Sequence, residues 1–182
     1  MRRYKRYALN YAKHRMSWGK AAVAEGKFVF LCGSEGIDPE TNETVKGIEA
    51  QTELALSKMK LWLEEVGASL DSIVKMIIYV VDMDEYWKNA QSVFQSFLRE
   101  NCPSFIEDPP PIDLIQVAGL ARKDMLIEIA ATALVTHSRV AKLTKGESLQ
   151  RLKCQKLAEH LFAEASSENC PRIARANRAN SL

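Results

Sequence analysis

The chain lacks three things that would have assigned it at once. No apolar run approaches the roughly 18 residues of a membrane-spanning helix, and the first 20 residues have no central apolar stretch such as a secretory signal needs. The expectation is a soluble, cytoplasmic protein. Four cysteines (Cys32, Cys102, Cys154, Cys170) and three histidines (His14, His137, His160) are scattered without metal-ligand spacing, which excludes the common zinc signatures and points to free thiols. Acids are missing from residues 1–20, where seven Lys or Arg stand alone. Residues 139–182 add nine basic residues against four Glu, which leaves nine basic and nineteen acidic residues in 21–138. An acidic centre between two basic ends suits ends that fold back on their own core, or that reach for an anionic partner.

What is present is apolar material, 47% of 182 residues, enough for one domain with a sizeable core. Composition divides the chain into a basic N-terminal arm (1–16), an α+β domain (17–136) and a basic helical or flexible appendage (137–182). In the arm, Tyr4, Tyr7 and Tyr11 interleave with Arg and Lys, a pattern compatible with RNA binding by stacking and phosphate contacts, although a solvated or loosely docked terminal arm is the expectation. No His pair or acidic metal cluster offers a nuclease centre. The appendage has an imperfect helical stripe, Leu149, Leu152, Leu157 and Leu161, and reads as a docking or solvated segment.

Within the domain, Lys27–Cys32 is a short β-rich run, and DPETNE (Asp38–Glu43) is a turn cluster with a strand return near Thr44 and Val45. From Ile48 the period becomes 3.6, with Ile48, Ala55, Met59, Trp62, Leu63 and Val66 on one face and Gly67 as the stop. Ile73–Val81 is an apolar strand broken only by Lys75. A cap at Asp82–Glu85 precedes a second amphipathic helix through Tyr86, Ala90, Phe94 and Leu98. Ile112–Ala118 and Met125–Val135 alternate as strands, and the GLARKD segment between them predicts a tight turn and a hairpin. The order ββαβαββ places two helices on one face of a single sheet. Its other face still carries apolar side chains, so it is expected to pack against copies of itself.

Glu128 is the only charge between Met125 and Val135. A carboxylate on so apolar a strand must be paired, hydrogen-bonded or protonated, which makes it the first candidate for chemistry. The alternative is a purely structural acid, paired with Lys75 or a backbone group.

The segments CGSEGIDPETNE, VGASLDSIVKMIIYVVDM and PPPIDLIQVAGLARKDMLIEIAATAL, in this order and spacing, resemble the YjgF family of reactive intermediate deaminases (RidA). Gly33 matches the glycine of the family's SGQ-like segment, Asp71–Lys75 its DIVK segment, and Ile127–Ala131 its last strand. The resemblance covers roughly residues 17–136 and leaves out both basic ends. It implies a chorismate-mutase-like fold, a homotrimer whose sheets form an inner barrel, small-molecule clefts between subunits, no cofactor, and hydrolysis of enamines and imines to oxo acids and ammonia. Glu128 falls at the family's water-activating glutamate. Trp18, Gln91 and Leu114 take further cleft positions, beside Gly33. The family's carboxylate-binding arginine is replaced by Ile112, for whose absent bidentate fork an alkyl chain is no substitute. The chain thus resembles a divergent member, with a substrate other than the usual 2-imino acid, or a non-catalytic ligand-binding or regulatory module.

Overall fold

A computed structural model describes residues 4–7 and 21–135. Trp18, most of the basic arm and the appendage with its leucine stripe lie outside the described residues. Strands β1 (Tyr4–Tyr7) and β2 (Ala21–Ala24) pair antiparallel in a two-stranded sheet. Part of the basic arm is therefore a paired strand.

The main sheet contains β3 (Lys27–Phe30), β4 (Ser34–Glu35), β5 (Ile73–Val80), β6 (Ile112–Gln116) and β7 (Ile127–Val135). Its order is β3-β7-β5-β6, with β4 also on β7. Helices α1 (Ile48–Glu65) and α3 (Gln91–Asn101) supply the apolar layer that meets it. Helix α1 ends as its sequence requires: Gly67 holds φ 76°, and the Gly67 and Ala68 amides return to the Glu64 and Leu63 carbonyls. Asp82 caps the next helical segment by accepting the Glu85 amide at 3.0 Å. That segment runs through α2 (Met83–Glu85), a π-helical turn (Tyr86–Ala90) and α3, with a short α4 (Pro103–Glu107) beyond. The expected stripe of Tyr86, Ala90, Phe94 and Leu98 is buried. Among the described residues no helix is long and apolar enough to cross a membrane.

The expected hairpin does not form. β6 and β7 flank β5, with β6 parallel to it and β7 antiparallel. Alternating apolar residues report that a segment is a strand, not which strand lies beside it. Here the connection Val117–Leu126 passes round the end of β5: the Val117 amide bonds the Val80 carbonyl, and the Val81 amide bonds the Leu126 carbonyl.

One buried side chain holds that connection to α1. Gln51, 1% exposed, donates its amide to the Val45 and Asp124 carbonyls (3.0 and 2.9 Å) and accepts the Leu126 amide at 2.7 Å. Gln51→Leu would leave a donor and two acceptors without partners. The expected loss is roughly 2–4 kcal/mol of stability, read from urea unfolding with an unchanged m-value; a loss below about 1 kcal/mol would show that water replaces the clamp.

Candidate functional site

Strand alternation divides β7 cleanly. Ile127, Ile129, Ala131 and Ala133 enter the helix-covered core, while Glu128 points to the opposite face of the sheet. It stands opposite Glu35 of β4 on one side and Tyr79 of β5 on the other. Phe28, Phe30 and Ile115 share that face at 48%, 79% and 41% exposure.

The carboxyl has room because Gly33 has no side chain: a Cβ built there would overlap Oε1 and Cδ of Glu128. Burial, and secondarily the Glu35 carboxylate, hold the Glu128 pKa above the usual glutamate range. Lys75 does not supply the cation suggested by the sequence. It bonds Asp113 at 2.7 Å: β6, which carries Asp113, lies along one edge of β5, while the residue of β7 opposite Lys75 on the other edge is Thr132, not Glu128. Glu35 in turn receives Lys58 of α1 at 2.9 Å.

The remaining sequence-predicted residues collect elsewhere. Ile112, 7% exposed, faces the core beneath α3, and Leu114 packs against the same cluster. Gln91 and Ile112 line a groove of about 110 Å³ with Phe94, Leu98, Arg99 and Phe105. Tyr86 lines it too, and burial pushes its phenol up to about 12, so the hydroxyl stays protonated. The chain thus joins Gly33 to Glu128, and Gln91 to Ile112, on opposite faces of its sheet. Arg122 is engaged by the Asn42 carbonyl and side-chain oxygen at 2.7 and 2.8 Å, so it does not stand in for an arginine at 112. No group of three His, Cys, Asp or Glu among the described residues is placed to hold a metal.

Residues 12–135 match the family described as Endoribonuclease L-PSP. The chain belongs to this YjgF/RidA family. A RutC family protein of Pyrococcus abyssi is 37% identical over 113 residues, 62% of this chain and 82% of that relative. A protein of Escherichia coli K12 named putative reactive intermediate deaminase TdcF is 29% identical over 108 residues, 59% of this chain and 79% of its own. The crystal structure of E. coli TdcF with bound serine superposes with a TM-score of 0.53 at 28% identity, covering 62% of this chain and 84% of that one. Among YjgF/RidA proteins the chorismate-mutase-like α+β fold is shared, and this chain has it.

Sequence reading of this YjgF/RidA chain missed Glu35 and Lys58. A signal existed: Lys58 interrupts the buried stripe of α1 between Ala55 and Met59, and a lysine there needs a partner.

The raised Glu128 pKa has a thermodynamic sign. A native carboxyl that binds its proton more tightly than the unfolded chain does loses stability as pH rises from the ordinary glutamate range through the native value, and keeps that deficit above it. Glu128→Gln is therefore expected to melt higher than wild type in mildly alkaline buffer, with the gap closing below the ordinary glutamate range. Thermal denaturation across pH checks this; a gap independent of pH, or of reversed sign, contradicts it.

Proposed function

We propose that this chain is a RidA-like hydrolase of enamine or imine intermediates, with Glu128 as the acid–base group and a substrate whose carboxylate, if it has one, is not gripped at position 112. The observation that carries this reading is the Glu128 carboxyl, given space by Gly33 and faced by Glu35, on the sheet face turned away from the helices. The pKa raised by burial and Glu35 suits a group that must both take and return a proton. In the proposed step water adds to the C=N carbon while Glu128 accepts its proton. The proton then passes to nitrogen to give a carbinolamine; as the C–N bond breaks, the hydroxyl proton also moves to nitrogen by way of Glu128, and a carbonyl compound and ammonia leave. The deaminase name of the TdcF relative supports the reaction class, and the serine bound to TdcF supports a small-molecule site in this fold.

The same reading assigns the exposed Phe28, Phe30 and Ile115 to a homotrimer interface. Burying each large apolar side chain contributes about 1.5–3 kcal/mol, and the clefts would take Glu128 and Gly33 from one subunit and, from another, the groove residues Gln91 and Ile112 with Leu114 near them in the core. Trp18 belongs to this proposed cleft on the family resemblance alone.

A non-catalytic ligand-binding module is the second reading, favoured by the groove that Ile112 lines with Phe94, Leu98 and Phe105. RNA binding by the basic ends is the third and has less support, since one stretch of the arm is already paired with β2.

The deciding assay follows 2-iminopropionate or 2-aminoacrylate decay. Wild type is expected to accelerate it, and Glu128→Gln to lose about 10²-fold or more. Gly33→Ala, which displaces the Glu128 carboxyl without entering the core, is expected to lose activity while remaining folded. No acceleration by wild type and by Ile112→Arg alike would remove the deaminase reading. A ligand that raises the melting temperature and is recovered unchanged would then favour the binding module.

A further inference from the structure

Glu128 is not the only unusual carboxyl on the sheet. Glu35 occupies the two-residue strand β4, directly opposite Glu128 in the antiparallel register, where opposed Cβ atoms lie roughly 4.5–5.5 Å apart. Two carboxylates at that separation repel, and a fold selected for stability alone has no need to oppose them.

The cation that accompanies them is placed on one only. Lys58 is 6% exposed on α1. Its Nζ donates to Glu35 Oε1 at 2.9 Å and to the Ile37 carbonyl at 3.2 Å, and it lies 5.6 Å from the centre of the Trp62 ring. A buried ion pair of this kind adds little net stability over apolar residues of the same size, because the desolvation of both charges offsets their attraction. What it does supply is fixed geometry: with Nζ pinned by a backbone carbonyl and an aromatic face, Glu35 is held in one place beside Glu128.

The other surroundings of Glu128 do not supply a charge. Tyr79 is opposite on β5, Thr132 lies on the same face of β7, and Gly33 contributes only space. Lys75, farther along β5, is occupied by Asp113. Among the described residues, Glu35 is therefore the charged group that acts on Glu128, and Lys58 stands behind Glu35.

We propose that Glu35, fixed by Lys58, is a positioning residue for Glu128 that sets which protonation state Glu128 presents to water at the site. Lys58 fastens Glu35, and Glu35 disfavours a second negative charge across the strand pair. Burial raises the Glu128 pKa first and Glu35 raises it further, in the direction this arrangement requires. The inference rests on Glu128 being the acid–base group, but its test reads titration rather than turnover, so a failure of coupling and a failure of hydrolysis are separate results.

The experiment is a carboxyl carbon NMR titration of the full chain labelled at glutamate, with the Glu128 resonance identified by its loss in Glu128→Gln. Glu35→Gln, close in shape and uncharged, is expected to lower the Glu128 midpoint, and Glu35→Asp to keep it near the wild-type value. Lys58→Met is expected to shift the midpoint when Glu35 is present and to leave it unmoved in the Glu35→Gln background. If hydrolysis is observed, the acid limb of its pH–rate profile moves in the same direction as the midpoint. An unmoved or raised midpoint in Glu35→Gln overturns the proposal. So does a Lys58→Met shift of equal size with and without Glu35, since Lys58 would then act by another route. The two Glu35 variants decide the matter even where Lys58→Met fails to fold.

Discussion

Strand β7 is hydrogen-bonded along both edges, to β3 and β4 on one side and β5 on the other, and everything of functional interest depends on that double pairing. A strand fixed on both edges cannot slip by one residue without turning its whole apolar set out of the core. The burial of Ile127, Ile129 and Ala133 beneath the helices therefore dictates that Glu128 faces away from them. An acid that would be unaffordable among the core residues lies instead on a surface where Gly33 leaves it space and Glu35 stands opposite.

The elements were legible because each segment has its own period and punctuation. Gly67 ended α1, Asp82 capped the following helical segment, and the single acid of the last strand identified Glu128. Pairing was not legible. The arms of the supposed hairpin alternate correctly, but alternation is satisfied as well by a neighbour distant in sequence, and the Gln51 hydrogen bonds that anchor the connection join atoms about 75 positions apart. The alternative that tied Glu128 to Lys75 or a backbone group loses its lysine for the same reason: once β6 adjoins β5, Asp113 takes Lys75.

The site was legible in part. Glu128 and Gly33 meet, while Ile112, Leu114 and Gln91 lie beyond the sheet from them. That separation gives the exposed Phe30 and Ile115 their interest, because a face combining a half-buried acid with large apolar side chains is suited to closure by another protein surface. Ile112 gives the groove an alkyl surface, beside the polar side chains of Gln91 and Arg99. The Glu35–Lys58 pair escaped notice because its two members come from different elements: Lys58 stands out within α1, but nothing in the sequence names Glu35 as its partner.

The central claim is that Glu128 works from a crevice closed by a second copy of the chain. A crystal structure of the assembled protein, grown with a small imine or oxo-acid analogue, tests this most directly. The account predicts the analogue beside the Glu128 carboxyl, with a neighbouring subunit covering Phe28 and Phe30. A monomer whose Glu128 faces open solvent, with the analogue bound elsewhere or absent, would contradict it.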